Sequence, residues 1–218
     1  PMRYQGIVRE LALFRLTLRK LGPLYFVPHL FLYGLIPLLG LGYLAYHGDG
    51  ENARGLIFYD FQKFLPFFGC WWVLFGLSGY VEGPASELLQ VYRPSLLGQF
   101  WLLWVWYLLH MAALFLAFSL FLENYWPDFP LVAVQSLAFA GAGFFLLCAA
   151  RNLLAPFLTA LFYEIFAMLS GAPFLRFCNL FSLSRVEHPA QLALPYGPVA
   201  VAAVLLVLLG GWAYRRRK

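Results

Sequence analysis

The segment PLVAVQSLAFAGAGFFLLCAARNLLAPFLTALFYEIFAMLS, residues 130–170, decides the fold class. Only Arg151 and Glu164 carry charge in it, and Arg151-Asn152 separates two apolar runs, 130–150 and 153–170. About 20 consecutive apolar residues span a bilayer as an α-helix. The segment therefore predicts two membrane-spanning helices that are joined in a tight hairpin.

Four further apolar runs of similar length lie outside this hairpin, at about 24–46, 61–80, 97–121 and 194–214. The whole chain of 218 residues is 62% hydrophobic and only 11% charged, with a mean hydropathy of +0.74. A soluble domain carries roughly 25% charged residues. We therefore predict an all-α integral membrane protein whose residues 1–218 form one transmembrane domain, with six spans within 24–214.

The segment before the first span has the pattern of an amphipathic helix, which we place at 2–22. Its apolar residues recur along one stripe of a 3.6-residue helix, and its basic residues lie off that stripe or at its edge: Ile7, Leu11, Phe14, Leu18 and Leu21 against Arg9, Arg15, Arg19 and Lys20. Such a helix lies in the membrane interface with its cations toward lipid phosphates. Packing against a partner protein is the alternative. Gly22-Pro23 is expected to end it.

The basic residues predict the orientation, because they concentrate on the cytoplasmic side of membrane proteins. With both termini inside, that side holds most of the 15 basic residues, namely Arg3, Arg9, Arg15, Arg19, Lys20, Arg93, Arg151, Arg215, Arg216, Arg217 and Lys218. Arg54, Lys63, Arg176 and Arg185 fall outside. The longest loops are then expected at about 47–60 and 171–193 outside, and at 81–96 in the cytoplasm.

Several functions are excluded or disfavoured by what the sequence lacks. The dipeptide Gly-Lys does not occur, so the chain has no phosphate-binding P-loop, and no HExxH or GxSxG motif is present. Cys70, Cys148 and Cys178 are not paired in a CxxC motif and are expected to be small buried residues. With no basic soluble domain, the net charge of +5 indicates membrane orientation rather than nucleic-acid binding.

The predicted cytoplasmic loop, GYVEGPASELLQVYRPSLLGQ at 79–99, is the most informative segment. Pro84 suits the first turn of a helix, and Glu87 would lie near the positive end of its dipole. Arg93 would lie at its C-terminal end, and Pro94 would stop it. We predict a short cytoplasmic helix at about 84–93, with an ordinary helical loop as the alternative.

The arrangement resembles the permease subunit of an ABC-2 type ABC transporter. That family has an amphipathic elbow helix, six spans and a short coupling helix between the second and third. The residues that carry the resemblance are Glu82-Gly83, Glu87-Leu88-Leu89, Pro94 and Leu96-Leu97-Gly98-Gln99. Pro84-Ala85-Ser86 departs from the usual Gly-Thr pair, and Gln99 replaces the common Lys. The topology covers the whole chain, but the motif covers only about twenty residues.

The resemblance implies that the chain works with separate ATP-binding subunits, which carry ATP and Mg²⁺, and with a second permease copy or paralogue. It assigns contacts with the ATPase to Glu82, Glu87 and Arg93, and seating of the helix to Leu88 and Tyr92. No cofactor is expected on this chain. It also implies that the apolar outer segment at about 171–193 is re-entrant and caps the translocation path. A loop packed on neighbouring helices is the alternative there.

Ionisable residues at membrane depth give further candidates, since such groups usually face a partner or a water-filled path. Glu164 and Tyr163 lie in the fifth predicted span, and His110 lies in the third. They are candidates for lining a path for a polar or cationic substrate. A protonated Glu164 hydrogen-bonded to a neighbouring helix, and a His110 that only packs helices, are the alternatives.

These observations predict a permease subunit of an ATP-driven transporter in a prokaryotic cytoplasmic membrane, with export favoured over import and no enzymatic activity of its own. Two other classes stay open. One is a membrane-embedded enzyme that uses Glu164 and His110, and the other is a membrane scaffold that transports nothing. The substrate is not readable from the fold.

Overall fold

The structure, a computed structural model, describes residues 2–83, 86, 88–89, 95–122, 125–169, 180–182, 185–186 and 190–216. Within these residues it contains helices, turns and irregular segments but no strand. The helices are α1 (Met2–Leu21), α2 (Phe26–Leu30), α3 (Ile36–His47), α4 (Glu51–Val81), α5 (Leu97–Phe121), α6 (Phe129–Ala150), α7 (Leu154–Leu169) and α8 (Ala190–Arg216). The prediction of an all-helical chain is confirmed for the described part.

Five helical stretches are long and apolar enough to cross a membrane: Val8–His47, Glu51–Val81, Leu97–Phe121, Trp126–Ala150 and Leu192–Arg216. A sixth apolar helix, Leu154–Ala167, is shorter. The third, fourth and fifth predicted spans correspond closely to α5, α6 and α7. The described part of the chain therefore has five to six long apolar helices, an architecture compatible with a helical membrane protein.

The prediction of an outer loop at 47–60 is wrong for residues 51–60, which are helical. Only residues 48–50 connect α3 to α4, which begins at Glu51 and runs for 31 residues. Gly50 is extended at the start of this helix, and Glu51 favours the positive end of its dipole. Hydropathy reports where apolar residues begin, whereas a helix extends into polar sequence wherever good helix formers continue. The last span likewise begins earlier than predicted, at Ala190, so residues 190–193 belong to α8.

The first predicted span is a helix of changing pitch. Gly22 adopts φ 53, in the left-handed region that glycine tolerates, and a 3-10 turn covers Gly22–Tyr25. Pro28 has no N–H to bond the Leu24 carbonyl, which instead accepts a hydrogen bond from Trp71 Nε1 at 3.0 Å. A π-helical turn at Phe31–Leu35 precedes Pro37. A side chain of α4 thus replaces a backbone bond that the proline removes.

Helix α6 lies at the centre of the bundle, between α4 and α8. Its small residues allow close approach, since a Cβ on Gly141 would lie 2.7 Å from the Ala203 carbonyl oxygen of α8. Gly210 of α8 lies in the same way against Phe144. In the most apolar 18-residue stretch of α6, 67% of the residues are buried, whereas in that of α8 only 11% are buried. Helix α8 therefore covers α6 with one face and leaves its other faces exposed.

The α6–α7 hairpin is predicted correctly and has a tight, capped turn. Arg151 ends α6 with φ 53, and its N–H bonds the Leu147 carbonyl at 2.9 Å. The side chain of Asn152 then accepts a hydrogen bond from the Leu154 N–H at 2.7 Å, which satisfies a free donor in the first turn of α7. Short polar side chains of this kind commonly open helices.

Helix α1 ends at Leu21, as predicted, and lies across the ends of two long helices. Glu10 faces Gln99 near the start of α5, Thr17 packs against Gly76, and Lys20 lies beside Gly79 near the end of α4. The face that contacts protein includes Phe14, Thr17, Leu18 and Leu21. Much of the stripe predicted to face lipid therefore packs on α4 and α5, while Leu11 of that stripe is exposed.

The two ends of the bundle differ in charge. We call the end that contains Glu10, Glu82, Ser95, Arg151 and Arg215 the basic end, because the described part of α8 finishes there in Arg215-Arg216. The opposite end contains Asp49, Arg54, Asp128 and Arg185, whose contacts are described below. Helix α1 lies at the basic end, where its Glu10 is bonded to Gln99. The end of α8 lies there too, where its Arg215 is bonded to Ser95.

Candidate functional site

The loop between α4 and α5 is fixed at its start by Glu82. The N–H of Glu82 bonds the Ser78 carbonyl at 2.8 Å and so continues the last turn of α4. Its carboxylate Oε2 accepts a hydrogen bond at 3.1 Å from the N–H of Leu153, in the α6–α7 turn. Glu82, predicted to contact an ATPase, is therefore placed against another part of its own chain.

The other end of the same loop is fixed by Ser95 and by Gln99 in the first turn of α5. The side-chain amide of Gln99, which is fully buried, donates to both the carbonyl oxygen and the carboxylate Oε2 of Glu10, each at 2.9 Å. Ser95 Oγ accepts a hydrogen bond from Arg215 Nη2 at 3.1 Å. The loop and the first turn of α5 are thus bonded to α1, to the α6–α7 turn and to the end of α8.

Most of the predicted coupling helix at 84–93 lies outside the described residues, and so do Glu87, Tyr92 and Arg93. Ser86, Leu88 and Leu89 are helical, and the Ser86 N–H bonds the Gly83 carbonyl at 2.8 Å. The side chain of Leu88 is 60% exposed. This exposure leaves an apolar side chain at the basic end open to solvent or to a partner.

A second polar arrangement lies inside the bundle toward the opposite end, and we call it the glutamine hub. It consists of Gln62, Gln135, Tyr163 and Tyr196, from α4, α6, α7 and α8, around the irregular backbone of 180–182. Gln62 Nε2 donates to the Ser182 carbonyl at 3.0 Å, and its Oε1 accepts from the Ser182 N–H at 2.7 Å. The side-chain amide of Gln62 therefore bonds both the N–H and the carbonyl of Ser182, as the backbone of a neighbouring strand does in a sheet.

The other three hub side chains bond Leu180 or join the two glutamines. Gln135 Nε2 donates to Gln62 Oε1 at 2.9 Å and to the Leu180 carbonyl at 2.6 Å, and Tyr196 donates to that carbonyl at 3.2 Å. The Leu180 N–H donates to the Tyr163 hydroxyl at 2.9 Å. Irregular backbone at membrane depth is tolerated where such partners satisfy it. The hub allows residues 180–182 to enter the bundle, whereas most of the segment at 171–193, predicted to be re-entrant, lies outside the described residues.

An ion pair continues this segment at the opposite end. Arg185 contacts the fully buried Asp128 at 3.0 Å, and Asp128 Oδ1 also accepts from the Val186 N–H at 2.8 Å. The Arg185 guanidinium lies 4.4 Å from the ring centre of Tyr125, whose hydroxyl donates to the Arg54 carbonyl at 2.7 Å. Burial raises the pKa of Tyr125, so this donor stays protonated. The described residues 180–182 and 185–186 are packed and irregular rather than helical.

Glu164 lies in α7 with its side chain turned into the protein. It is 6% exposed, and neither carboxylate oxygen has a hydrogen-bond partner in the described part of the chain. Its electrostatic neighbours include Lys63 and Cys70 of α4. Ser136 Oγ, buried against Gly69, is also without a partner there. A buried carboxyl with no partner is most stable in its neutral form.

His110 belongs to a different cluster. Its ring lies 4.8 Å from that of His29 and 5.4 Å from that of Trp72, and its Nδ1 is 2.9 Å from the Trp106 carbonyl oxygen. These neighbours come from α2, α4 and α5, whereas Tyr163 packs on Phe139 and Phe181. Of the three predicted path residues, Tyr163 belongs to the hub. No contact among the described residues joins His110 to Glu164.

The described residues contain no group of three or more His, Cys, Asp or Glu side chains that could hold a metal ion, and Cys70 and Cys148 are free and buried.

The sequence pattern did not single out Gln62, Gln135, Ser95 or Glu10 as site residues. Polar residues within apolar runs were the available signal for the two glutamines. No family model, curated protein or solved structure matches this chain.

Proposed function

We propose that this chain is the permease subunit of an ATP-driven transporter of the ABC-2 type. It lies in a prokaryotic cytoplasmic membrane with both termini in the cytoplasm, so the basic end faces the ATPase. The observation that carries the proposal is the bonding of the α4–α5 loop and the first turn of α5 to three other elements. A force applied to this segment reaches the α6–α7 turn through Glu82, α8 through Ser95 and α1 through Gln99 of α5.

The partners in this proposal are two ATP-binding subunits and a second permease copy or paralogue. The chain itself hydrolyses nothing, and ATP and Mg²⁺ bind to the partners. The exposed side chain of Leu88 supports a docking role for the loop, since an apolar group at this end gains from being covered. Export is the favoured direction, and Glu164, Tyr163 and His110 stay candidates for the translocation path.

The decisive experiment is co-expression of the tagged chain with the ATP-binding proteins encoded beside its gene. We expect an ATP-binding protein to co-purify at about one per permease in mild detergent and to hydrolyse ATP after reconstitution in liposomes. A chain that binds none of these proteins contradicts the proposal. A catalytic activity retained by the chain alone would favour a membrane-embedded enzyme, although His110 and Glu164 belong to separate clusters.

Charge reversal in the loop tests the docking surface. We expect Glu87→Arg to abolish co-purification of the ATP-binding subunit, because a positive charge would replace a predicted ATPase contact. The matched control is Glu51→Arg, which makes the same change on an exposed residue at the opposite end of the bundle. Pull-down with both variants gives the answer, and equal retention of the subunit would contradict the assignment of Glu87.

Two substitutions of Glu82 separate a mechanical role from a charged contact. Glu82→Gln keeps an oxygen that accepts from the Leu153 N–H, whereas Glu82→Leu removes it. We expect Glu82→Gln to retain transport per ATP hydrolysed and Glu82→Leu to lower it severalfold, with the ATPase still bound. If both substitutions act equally, the charge of Glu82 matters and the hydrogen bond to the α6–α7 turn does not.

A further inference from the structure

Helices α7 and α8 pack on the same face of α6 and leave a groove between them. Its floor is formed by small residues of α6, including Ala138 and Ala142, and its walls include Ala160 of α7 and Ala202 of α8. The groove encloses about 370 Å³, within the size range of small-molecule sites. Small residues usually let helices touch, whereas here they create room beside a central helix.

The groove offers a ligand no free polar group among its described residues. Its lining is apolar except for Thr159 and Tyr163. Thr159 Oγ donates to the Ala155 carbonyl of its own helix at 2.8 Å, and the Tyr163 hydroxyl accepts from the Leu180 N–H. A polar ligand would therefore lose its hydration without gaining hydrogen bonds. The chemistry of the groove fits a hydrocarbon chain.

The shape of the groove favours a narrow occupant, because helices α6, α7 and α8 bound it on three sides. One turn of an α-helix is about 5.4 Å long and at least about 10 Å wide. An alkyl chain is much thinner and can follow the length of the groove, from Ala138 to Leu146, about 12 Å along α6 at 1.5 Å per residue.

The mouth of the groove joins the exposed apolar surface of the bundle. On α7, Phe162 and Phe166 are 66% and 58% exposed, and on α8, Val201 and Leu205 are 61% and 52% exposed. Helix α8 is long and apolar enough to cross a membrane, so its exposed apolar side chains, and those of the adjoining α7, form a surface suited to lipid. An alkyl chain can therefore enter sideways from the bilayer without crossing a polar surface.

We infer that this groove is a binding site for one acyl chain of a membrane glycerophospholipid. The chain lies over Ala138 and Ala142 between α7 and α8, and next to the hub through Tyr163 and Leu180. Binding needs only this polypeptide and a bilayer, with no ATP-binding subunit. The inference therefore stands or falls separately from the proposed transport function.

The test uses the purified full-length chain in nanodiscs that contain a glycerophospholipid with a diazirine in its acyl chain. After illumination, we expect cross-links to concentrate on 138–146 and 199–206. Leu109 and Leu116 of α5 are 58% and 54% exposed and line no groove described above, so they serve as the reference surface. Labelling there reports ordinary lipid contact with the protein.

Ala142→Leu fills the floor of the groove, and we expect it to lower labelling of 138–146 and 199–206 at least fivefold while leaving labelling of the reference surface unchanged. Ala202→Phe fills the groove from an exposed position of α8 and gives the same readout if the floor variant misfolds. Ala155→Leu makes the same change as the first variant at an exposed position outside the groove, and it should alter nothing. Labelling that both filling variants leave intact would overturn the inference, and so would cross-links from these segments to a second copy of the chain.

Discussion

The glutamine hub and the hydrogen bonds at the basic end join overlapping sets of helices but differ in burial. In the hub, Gln62 and Gln135 are fully buried, and two tyrosines complete the bonding of a backbone segment. At the basic end, Gln99 is also fully buried, but its partner Glu10 is only half-buried, Glu82 is exposed, and the Arg215–Ser95 hydrogen bond is exposed as well. Water can therefore reach the partners at the basic end, but it does not reach the two glutamines of the hub.

This difference assigns rigidity to one end and mobility to the other. Buried polar groups are costly to leave unbonded, so the hub can open only at a high free-energy cost. Exposed hydrogen bonds exchange with water at little cost, and moving elements are drawn from such regions. In the proposed transporter, the basic end would move while the segment at 180–182 stays in place.

The largest expected difference is between replacing a glutamine of the hub and replacing the glutamine at the basic end. Gln62→Leu removes both hydrogen bonds between this side chain and the Ser182 backbone, so we expect the free energy of unfolding to fall by about 3 kcal/mol. Gln99→Leu, the matched change at the basic end, leaves a Glu10 that water reaches, and the loss should be about 1 kcal/mol. Equilibrium unfolding in mixed detergent micelles measures both values. Equal losses would contradict the contrast between the ends.

Two ion pairs, one buried and one exposed, lie at the opposite end of the bundle. Comparing them tests the effect of burial without a change of end. Asp128→Asn removes the charge that faces Arg185 in a fully buried position, and we expect a loss of about 2 kcal/mol. Asp49→Asn weakens the exposed Arg54–Asp49 pair, 2.8 Å long, and should cost about 0.5 kcal/mol or less. The same unfolding assay applies. If the Asp49 variant loses as much as the Asp128 variant, burial does not control these contacts.

The smallest contrast lies between the two hub tyrosines. Tyr163→Phe removes the acceptor of the Leu180 N–H, so a loss of about 1.5 kcal/mol is expected. Tyr196→Phe removes one of two donors to the Leu180 carbonyl, and Gln135 remains, so about 0.5 kcal/mol is expected. Hydrogen exchange at 180–182 should increase more in the first variant. The reverse order would show that Gln135 alone does not satisfy the carbonyl.

The apolar helices were predictable because a bilayer imposes a minimum length on them. The boundaries of α5 follow the apolar run at 97–121 without error, and Arg151-Asn152 marks the α6–α7 turn. The same measure failed at 51–60, where Glu51, Arg54 and Asp60 interrupt the apolar character but not the helix. Hydropathy identifies the solvent of a segment, whereas hydrogen bonding decides where its helix begins.

The contacts of the site could not be predicted in the same way. Gln62 and Ser182 are 120 positions apart, and Glu82 and Leu153 are 71 apart, so no local pattern relates them. The stripe of α1 was also misread in part, because Phe14 and Leu18 would suit lipid or protein equally well. An apolar side chain in the sequence predicts burial away from water, but it does not predict whether lipid or protein will cover it.

The short connection between α3 and α4 also has a use in protein engineering. Gly48, with φ 69, and the extended Gly50 separate two long helices by three residues. An epitope inserted at 48–50 interrupts no helix, whereas one at 51–60 would break α4 and displace the buried Ile57 and Phe58. Read together with a tag after Arg216, an epitope at this point reports by antibody accessibility in intact cells which face of the membrane each end of the bundle occupies.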